Sequence, residues 1–174
     1  MSKLFIACPL VLAFIAASRA DDAAKTESKK TTTATYLVTG LHCPGCTKVV
    51  EDSLSKAPGV RSIKVDWNRK DAKIEFDETT VPAAKIAELI AATPHMMGAG
   101  MHYGSWLALK AADVKDGATT KAAKEALAKV AGVKKVELFP AQHVIEVQFA
   151  SDAKTTTGQL IEALAAAGVR AENY

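Results

Sequence analysis

Gly40-Leu41-His42-Cys43-Pro44-Gly45-Cys46 decides how the chain is organised, because an extended apolar pattern precedes it and a helical pattern follows it. Cys43 and Cys46 are two of the three cysteines in 174 residues, and the third, Cys8, lies in the N-terminal segment. Two thiols three positions apart at the start of a helix form either a clip for a soft metal ion or a thiol–disulfide pair. The surrounding sequence favours one of these two chemistries.

The pattern around the cysteines predicts five consecutive elements. A strand beginning at Tyr36 leads into the cysteine loop, and apolar residues recur at helical spacing from Thr47 to the turn at Pro58-Gly59. Alternating residues then predict a hairpin, and a second helix follows; the predicted spans are 60–67, 72–76 and 83–92. A further strand is needed to complete the set, and residues 95–100 are its candidate in spite of their glycines.

The second half of the chain repeats the first at an offset of 73 residues, which becomes 74 in the last helix. Gly59-Val60 falls on Gly132-Val133, and Phe76 falls on Phe149. The second copy predicts a strand, a helix, a hairpin, a helix and a last strand, at residues 105–111, 119–131, 133–139, 143–149, 155–167 and 169–174. Asp116 and Thr119 take the places of the two cysteines, so the second copy keeps the scaffold and lacks the thiols.

Two such units predict an α+β chain with two tandem ferredoxin-like βαββαβ sandwiches. In this split βαβ arrangement, two helices cover one face of a four-stranded antiparallel sheet. The expected bounds are 36–100 for the metal-binding unit with the cysteines and 105–174 for the cysteine-free unit. The boundary stays open, since one long strand through residues 95–106 would be shared by both sheets.

The N-terminal segment predicts export. Lys3 supplies a positive charge, residues 4–17 are almost wholly apolar, and Ser18-Arg19-Ala20 puts small residues before a cleavage point. We therefore expect a signal peptide over residues 1–20, a flexible tether over 21–35, and a secreted or periplasmic location. The apolar run is shorter than the ~20 residues that span a bilayer. The mature chain is not expected to span the membrane, and a retained anchor is the alternative.

Basic and acidic residues nearly balance. The chain has 22 Lys and Arg against 19 Asp and Glu, and removal of residues 1–20 takes away Lys3 and Arg19. This balance argues against a nucleic-acid partner, which needs a basic surface. The sequence also has no paired carboxylates, no Ser/His/Asp constellation and no phosphate-binding glycine loop, so we do not expect an enzyme.

The cysteine stretch and the elements that follow it resemble the heavy-metal-associated domain family, which includes copper chaperones and periplasmic mercury-binding proteins. The family motif is Gly-Met-x-Cys-x-x-Cys, and Leu41 stands at the position of its methionine. Leucine is apolar and of similar volume, so we expect it to fill the same place in the core. The resemblance implies a soft metal ion on Cys43 and Cys46, and a metal-transporting membrane protein or another metallochaperone as partner.

The residue types favour the same class of ion. Thiolates are soft ligands, and two sulfurs suit an ion that accepts two or three ligands. This favours Cu(I), with Hg(II) as an alternative, over Zn(II), which usually takes four ligands. The segment 94–102 holds three of the four methionines, and the resemblance implies that it flanks the metal. His95 or Met96 is then an accessory ligand, unless the segment is a linker between the units.

Two other functions stay open. Exported proteins meet an oxidising environment, so the same cysteine pair could serve a thiol–disulfide redox protein. A thioredoxin-like protein would, however, need a larger fold around the pair. The third option is a structural module with a vestigial site.

Overall fold

Within residues 31–174, the part of the chain that the computed structural model describes, seven strands and four helices follow one another. The strands are β1 (Thr31–Thr39), β2 (Val60–Asp66), β3 (Asp71–Asp77), β4 (Gly104–Lys110), β5 (Val133–Phe139), β6 (Val144–Phe149) and β7 (Glu172–Asn173). The helices are α1 (Pro44–Leu54), α2 (Ala83–Ala92), α3 (Gly117–Ala128) and α4 (Thr157–Ala166). The predicted signal peptide and residues 21–30 of the predicted tether lie outside the described residues.

The described strands form one antiparallel sheet in the order β2-β3-β1-β4-β6-β5, with β7 paired to β4. Strand residues alternate between the two faces of a sheet. Tyr36 on β1 and its cross-strand partner Leu107 on β4 lie on the same face and are fully buried. The apolar stripes of the helices meet them in a single core cluster, to which α1 contributes Val50 and α2 contributes Ile86. The predicted α+β class, with an antiparallel sheet, is confirmed.

Strand β1 begins earlier than predicted. Its first seven residues pair with β3, from Thr31 opposite Asp77 to Leu37 opposite Asp71. Residues 31–35 therefore belong to the sheet rather than to the predicted tether. Their threonines suit a strand, because β-branched side chains pack well on a pleated surface.

Strand β4 belongs to both βαββαβ sets. One of its edges pairs with β6, and the other pairs with β1 and then with β7. The elements β1-α1-β2-β3-α2-β4 form one set, and β4-α3-β5-β6-α4-β7 form the second. The strand predicted at residues 95–100 is wrong, because β4 takes its place and the segment forms turns. Gly98 has a φ of +129° there, a conformation that favours glycine.

Two loops join the sets at a second place. The carboxylate of Glu78, which follows β3, accepts hydrogen bonds from the Thr157 backbone N–H at 2.5 Å and from its hydroxyl at 3.0 Å. The backbone N–H of Ala84 donates to the carbonyl of Thr155 at 3.0 Å. The first N–H groups of a helix have no partner within the helix and favour negative charge. Glu78 from the first set therefore stabilises the start of α4 in the second.

Candidate functional site: the cysteine loop

Gly40 turns the chain from β1 into the cysteine loop. Its φ is +85°, and a Cβ there would lie 2.7 Å from the carbonyl oxygen of His102. Only glycine combines this left-handed backbone with so close an approach. The cysteine loop therefore lies directly beside the segment that connects α2 to β4, residues 93–103, called here the α2–β4 loop.

Cys43 and Cys46 lie at the first turn of α1. Cys43 is extended, with a φ of −150°, Pro44 follows as the first helical residue, and no side chain caps this helix start. The backbone N–H of Cys46 donates to the carbonyl of Cys43 at 3.0 Å. Both cysteines are free, and their sulfurs lie 3.1 Å apart. Cys46 is fully buried and Cys43 is half-buried, so solvent reaches the pair from the Cys43 side.

The pKa of Cys46 is set by opposing effects. Burial raises this pKa, but the Cys43 thiol, backbone groups of His42 and Cys43, and the nearby Tyr103 hydroxyl lower it, to about 7. The thiolate is the form that binds metals. Because protons then compete less strongly for the sulfur, metal binding is favoured near neutral pH.

We expect the reduced protein to show a thiolate transition with a midpoint near pH 7, where the pKa of Cys46 lies, below its ordinary value of 9. The unfolded chain holds this proton more tightly than the folded chain. The free energy of unfolding should therefore rise with pH between about 7 and 9 and decrease as the pH falls through 7. Ultraviolet absorbance of the thiolate gives the midpoint, and Cys46→Ser removes the transition. A wild-type transition near pH 9 alone would contradict the prediction.

Tyr103 lies beside the thiols at the end of the α2–β4 loop. Its hydroxyl is buried and has no hydrogen-bond partner among the described residues. Burial raises the pKa of Tyr103 to about 12, and the neighbouring Cys46 adds to the rise. The hydroxyl stays protonated near neutral pH and can donate to a charged sulfur. Sequence reasoning missed this residue; its place before β4, in the loop expected to flank the metal, is the signal that points to it.

His95 holds the α2–β4 loop to the cysteine loop. Its Nε2 donates to the carbonyl of Gly40 at 2.8 Å, and its Nδ1 accepts from the backbone N–H of Met97 at 3.1 Å. The ring also stacks on Tyr103, with 4.6 Å between the ring centroids. In this arrangement both ring nitrogens of His95 are engaged, and its role as an accessory ligand stays a prediction.

Met96 reaches over the cysteine loop at Gly45. A Cβ built on Gly45 would lie 3.4 Å from the Sδ of Met96 and 3.7 Å from the Sγ of Cys43. The thioether and the thiol therefore flank the same glycine. Of the two accessory residues that the sequence predicts, Met96 is the one whose donor atom lies at the cysteine loop.

Leu41 fills the core beneath the loop. Its side chain is buried at 5% exposure and belongs to the main apolar cluster. The expectation that leucine serves at this position of the motif is confirmed. Cys46 belongs to the same cluster, and Cys43 packs against it.

In the second βαββαβ set, the helix start that matches the cysteine loop is capped by side chains. Asp116 precedes α3 as Cys43 precedes α1, and its carboxylate accepts from the Thr119 backbone N–H at 2.8 Å. The Thr119 side chain bonds in return to the Asp116 backbone N–H, which completes a capping box. In the first set the equivalent N–H of Cys46 bonds to the Cys43 carbonyl, and no side chain caps the helix start.

Two sulfurs are therefore the chemical core of the site. Among residues 31–174, no group of three or more His, Cys, Asp and Glu side chains is arranged to hold a metal ion. In the same range, every helix is too short or too polar to cross a membrane. Thiolate sulfur binds thiophilic ions in preference to hard ones. The fit between this donor pair and a soft ion rests on the sulfurs alone.

The family model and the sequence relatives match the part of the chain that carries the thiols. The model of the heavy-metal-associated domain matches residues 35–95. The copper chaperone CopZ of Enterococcus hirae is 31% identical over 55 residues, which cover 32% of this chain and 80% of that protein. The mercuric transport protein periplasmic component of Shigella flexneri is 33% identical over 61 residues, covering 35% of this chain and 67% of that protein.

Among solved structures, the water-soluble region of the P-type ATPase CopA from Bacillus subtilis is 18% identical, with a TM-score of 0.42. That alignment covers 83% of this chain and 92% of the CopA chain. The sequence relatives match most of their own length on the segment that holds Cys43 and Cys46. Through this segment, the chain belongs to the heavy-metal-associated domain family.

Proposed function

We propose that the protein binds a soft metal ion through Cys43 and Cys46 and passes it on, as a metallochaperone does. The observation that carries this proposal is the pair of free sulfurs, 3.1 Å apart, at an uncapped helix start. Thiolates at a helix N-terminus are stabilised by the dipole and by the free N–H groups. No enzymatic step is needed for this function.

Cu(I) is the proposed cargo, with Hg(II) as the nearest alternative. Both ions accept a small number of sulfur ligands, whereas a structural Zn(II) site usually has four ligands, and Zn(II) is the weakest of the three options. The similarity to a copper chaperone and to a mercuric transport protein supports these two ions. The half-buried Cys43 gives an incoming ligand access to the ion, which transfer requires.

The proposed partner is a metal-transporting membrane protein or another metallochaperone. A partner thiolate would attack the ion from the Cys43 side while Cys46 stays attached in the interior. We further propose a signal peptide over residues 1–20 and a secreted or periplasmic location, supported by the apolar N-terminal segment. Nucleic acid is not a proposed partner.

The cysteine-free set is proposed to act as a scaffold for the metal-binding set. The proposed bounds are 36–100 for the metal-binding unit and 105–174 for the cysteine-free unit. The support is strand β4, which both βαββαβ sets share within one sheet. The closed capping box at Asp116 and Thr119 is consistent with a unit that carries no ion.

A thiol–disulfide redox function is the second candidate. The favouring observation is again the short distance between the sulfurs, together with the lowered pKa of Cys46, which activates a thiol for exchange. In this function the pair would cycle between dithiol and disulfide, with a second thiol–disulfide couple as the electron donor or acceptor.

Titration of the reduced protein with Cu(I) against a competing chelator separates the two functions. We expect one Cu(I) per chain, and no binding at this site in the Cys43→Ser/Cys46→Ser variant. Thiol–disulfide exchange is measured in parallel on the metal-free protein. Absence of stoichiometric Cu(I) binding, combined with rapid exchange, would overturn the metal function in favour of the redox one.

A further inference from the structure

The α2–β4 loop carries a third sulfur to the cysteine loop. The Sδ of Met96 and the Sγ of Cys43 lie 3.4 and 3.7 Å from the same point, the Cβ position of Gly45. Glycine leaves that volume empty, and any larger side chain would occupy it. The thioether and the Cys43 thiol are therefore at most about 7 Å apart, beside the gap that Gly45 provides.

The neighbours of Met96 hold it at this place. His95, on one side, binds the carbonyl of Gly40, and the N–H of Met97, on the other side, binds the His95 ring. These two hydrogen bonds fasten the backbone of Met96 to the start of the cysteine loop. Its side chain remains 56% exposed, although burial of a methionine is favourable. A flexible, soft donor is thus kept at the solvent side of the thiols.

We propose that Met96 is a third ligand, and that its thioether together with the Cys43 and Cys46 thiolates forms a three-sulfur site selective for Cu(I). This inference rests on the proposed function and specifies its cargo. His95 is the positioning residue of the site, since its two hydrogen bonds fix the loop that presents the thioether.

A three-coordinate site needs its two thiols closer together than a linear site does. Two metal–sulfur bonds of about 2.3 Å put the sulfurs of a linear site about 4.6 Å apart, whereas a trigonal site needs about 4.0 Å. The free thiols lie 3.1 Å apart. A trigonal site therefore requires the smaller movement of Cys43 and Cys46 away from each other.

Charge and softness explain the selectivity. A thioether is neutral and soft, and Cys and Met ligands together favour Cu(I). With two thiolates and one thioether, a bound Cu(I) carries a single net negative charge, and the Tyr103 hydroxyl, which has no partner among the described residues, lies beside Cys46 to donate to it. Hg(II) is satisfied by two thiolates in a linear arrangement, so the neutral third sulfur adds little to its binding.

The test compares Met96→Leu with Met97→Leu in the full mature chain. Leucine conserves volume and removes the sulfur. Met97 is a matched control, because it is the adjacent methionine and is similarly exposed, at 61%. We expect Met96→Leu to weaken Cu(I) binding about 10- to 100-fold, the range measured when a metal site loses a supporting group. Met97→Leu should bind Cu(I) as the wild type does, and neither substitution should weaken Hg(II) binding.

Two spectroscopic measurements are independent of affinity. X-ray absorption of the Cu(I) protein should show three sulfur neighbours in the wild type and in Met97→Leu, and two in Met96→Leu. The methyl NMR signal of Met96 should shift when Cu(I) is added. Wild-type binding of Cu(I) with two sulfurs and an unshifted Met96 methyl would overturn the third ligand and leave the proposed function intact. Failure of the wild type to bind either Cu(I) or Hg(II) would overturn the proposed function itself.

Discussion

Replacing Cys46 with serine is expected to weaken Cu(I) binding more than about 100-fold, because loss of a mere supporting partner already costs about 10- to 100-fold. Serine is close to cysteine in shape, but its hydroxyl stays protonated and is a hard donor. The sulfur of Cys46 is fully buried, with the Cys43 sulfur 3.1 Å away. Cys43→Ser should cause a loss of similar size, since one thiolate cannot hold the ion alone.

Thermal unfolding supplies a second measurement. A ligand at a thousand times its dissociation constant stabilises a protein by about 4 kcal/mol. Cu(I) should therefore raise the melting temperature of the reduced wild type and leave that of Cys46→Ser unchanged. His42→Ala is the control, because His42 is exposed within the same loop. If Cys46→Ser kept the wild-type affinity while His42→Ala lost it, the thiol pair would not be the site.

Replacing Glu78 with alanine is expected to lower the free energy of unfolding by about 2 to 3 kcal/mol, the upper range for a hydrogen-bonded charged group. Glu78 is buried at 9% exposure, and its carboxylate accepts two hydrogen bonds from Thr157. Alanine would leave the Thr157 N–H at the start of α4 without an acceptor in a buried place. Glu78→Gln should have an intermediate effect, because an amide oxygen still accepts but carries no charge.

Urea denaturation measures this loss. Glu162→Ala is the matched control, since Glu162 lies exposed on α4, where a substitution changes stability by at most about 0.5 kcal/mol. Equal stability of Glu78→Ala and Glu162→Ala would mean that the two sets are not joined through this carboxylate. Cu(I) affinity of Glu78→Ala in dilute buffer should stay that of the wild type, because Glu78 is not among the groups around the thiols.

The shared strand is the structural basis of the scaffold role proposed for the cysteine-free set. Strand β4 begins at Gly104, directly after Tyr103, and pairs on both of its edges. A strand held on both edges fixes the end of the α2–β4 loop, which also carries Met96 and His95. The α2–β4 loop therefore ends at a strand that pairs with β1 from Gly104 and with β6 of the cysteine-free set from Leu107.

The local elements follow from the sequence because periodicity and turn residues are local properties. Alternation predicts β5 and β6, helical spacing predicts α2, and the offset that matches Asp116 to Cys43 is confirmed by their equal positions before α3 and α1. The core position of Leu41 also follows from the sequence, since Leu41 is an apolar residue next to the turn at Gly40. The strand expected at residues 95–100 does not form. Which segment pairs with β1 is decided by the whole sheet, and that segment is β4.

By itself, the sequence determined the two thiols at a helix start, the repeated unit and the α+β class. Only the tertiary structure decided that β4 serves both sets, that His95 engages both of its ring nitrogens, and that Tyr103 and Met96 lie at the cysteines. The reason is physical. Helix and strand patterns are encoded in neighbouring residues, whereas contacts such as Gly45 with Met96 join positions about fifty residues apart and depend on how the loops meet at one end of the sheet.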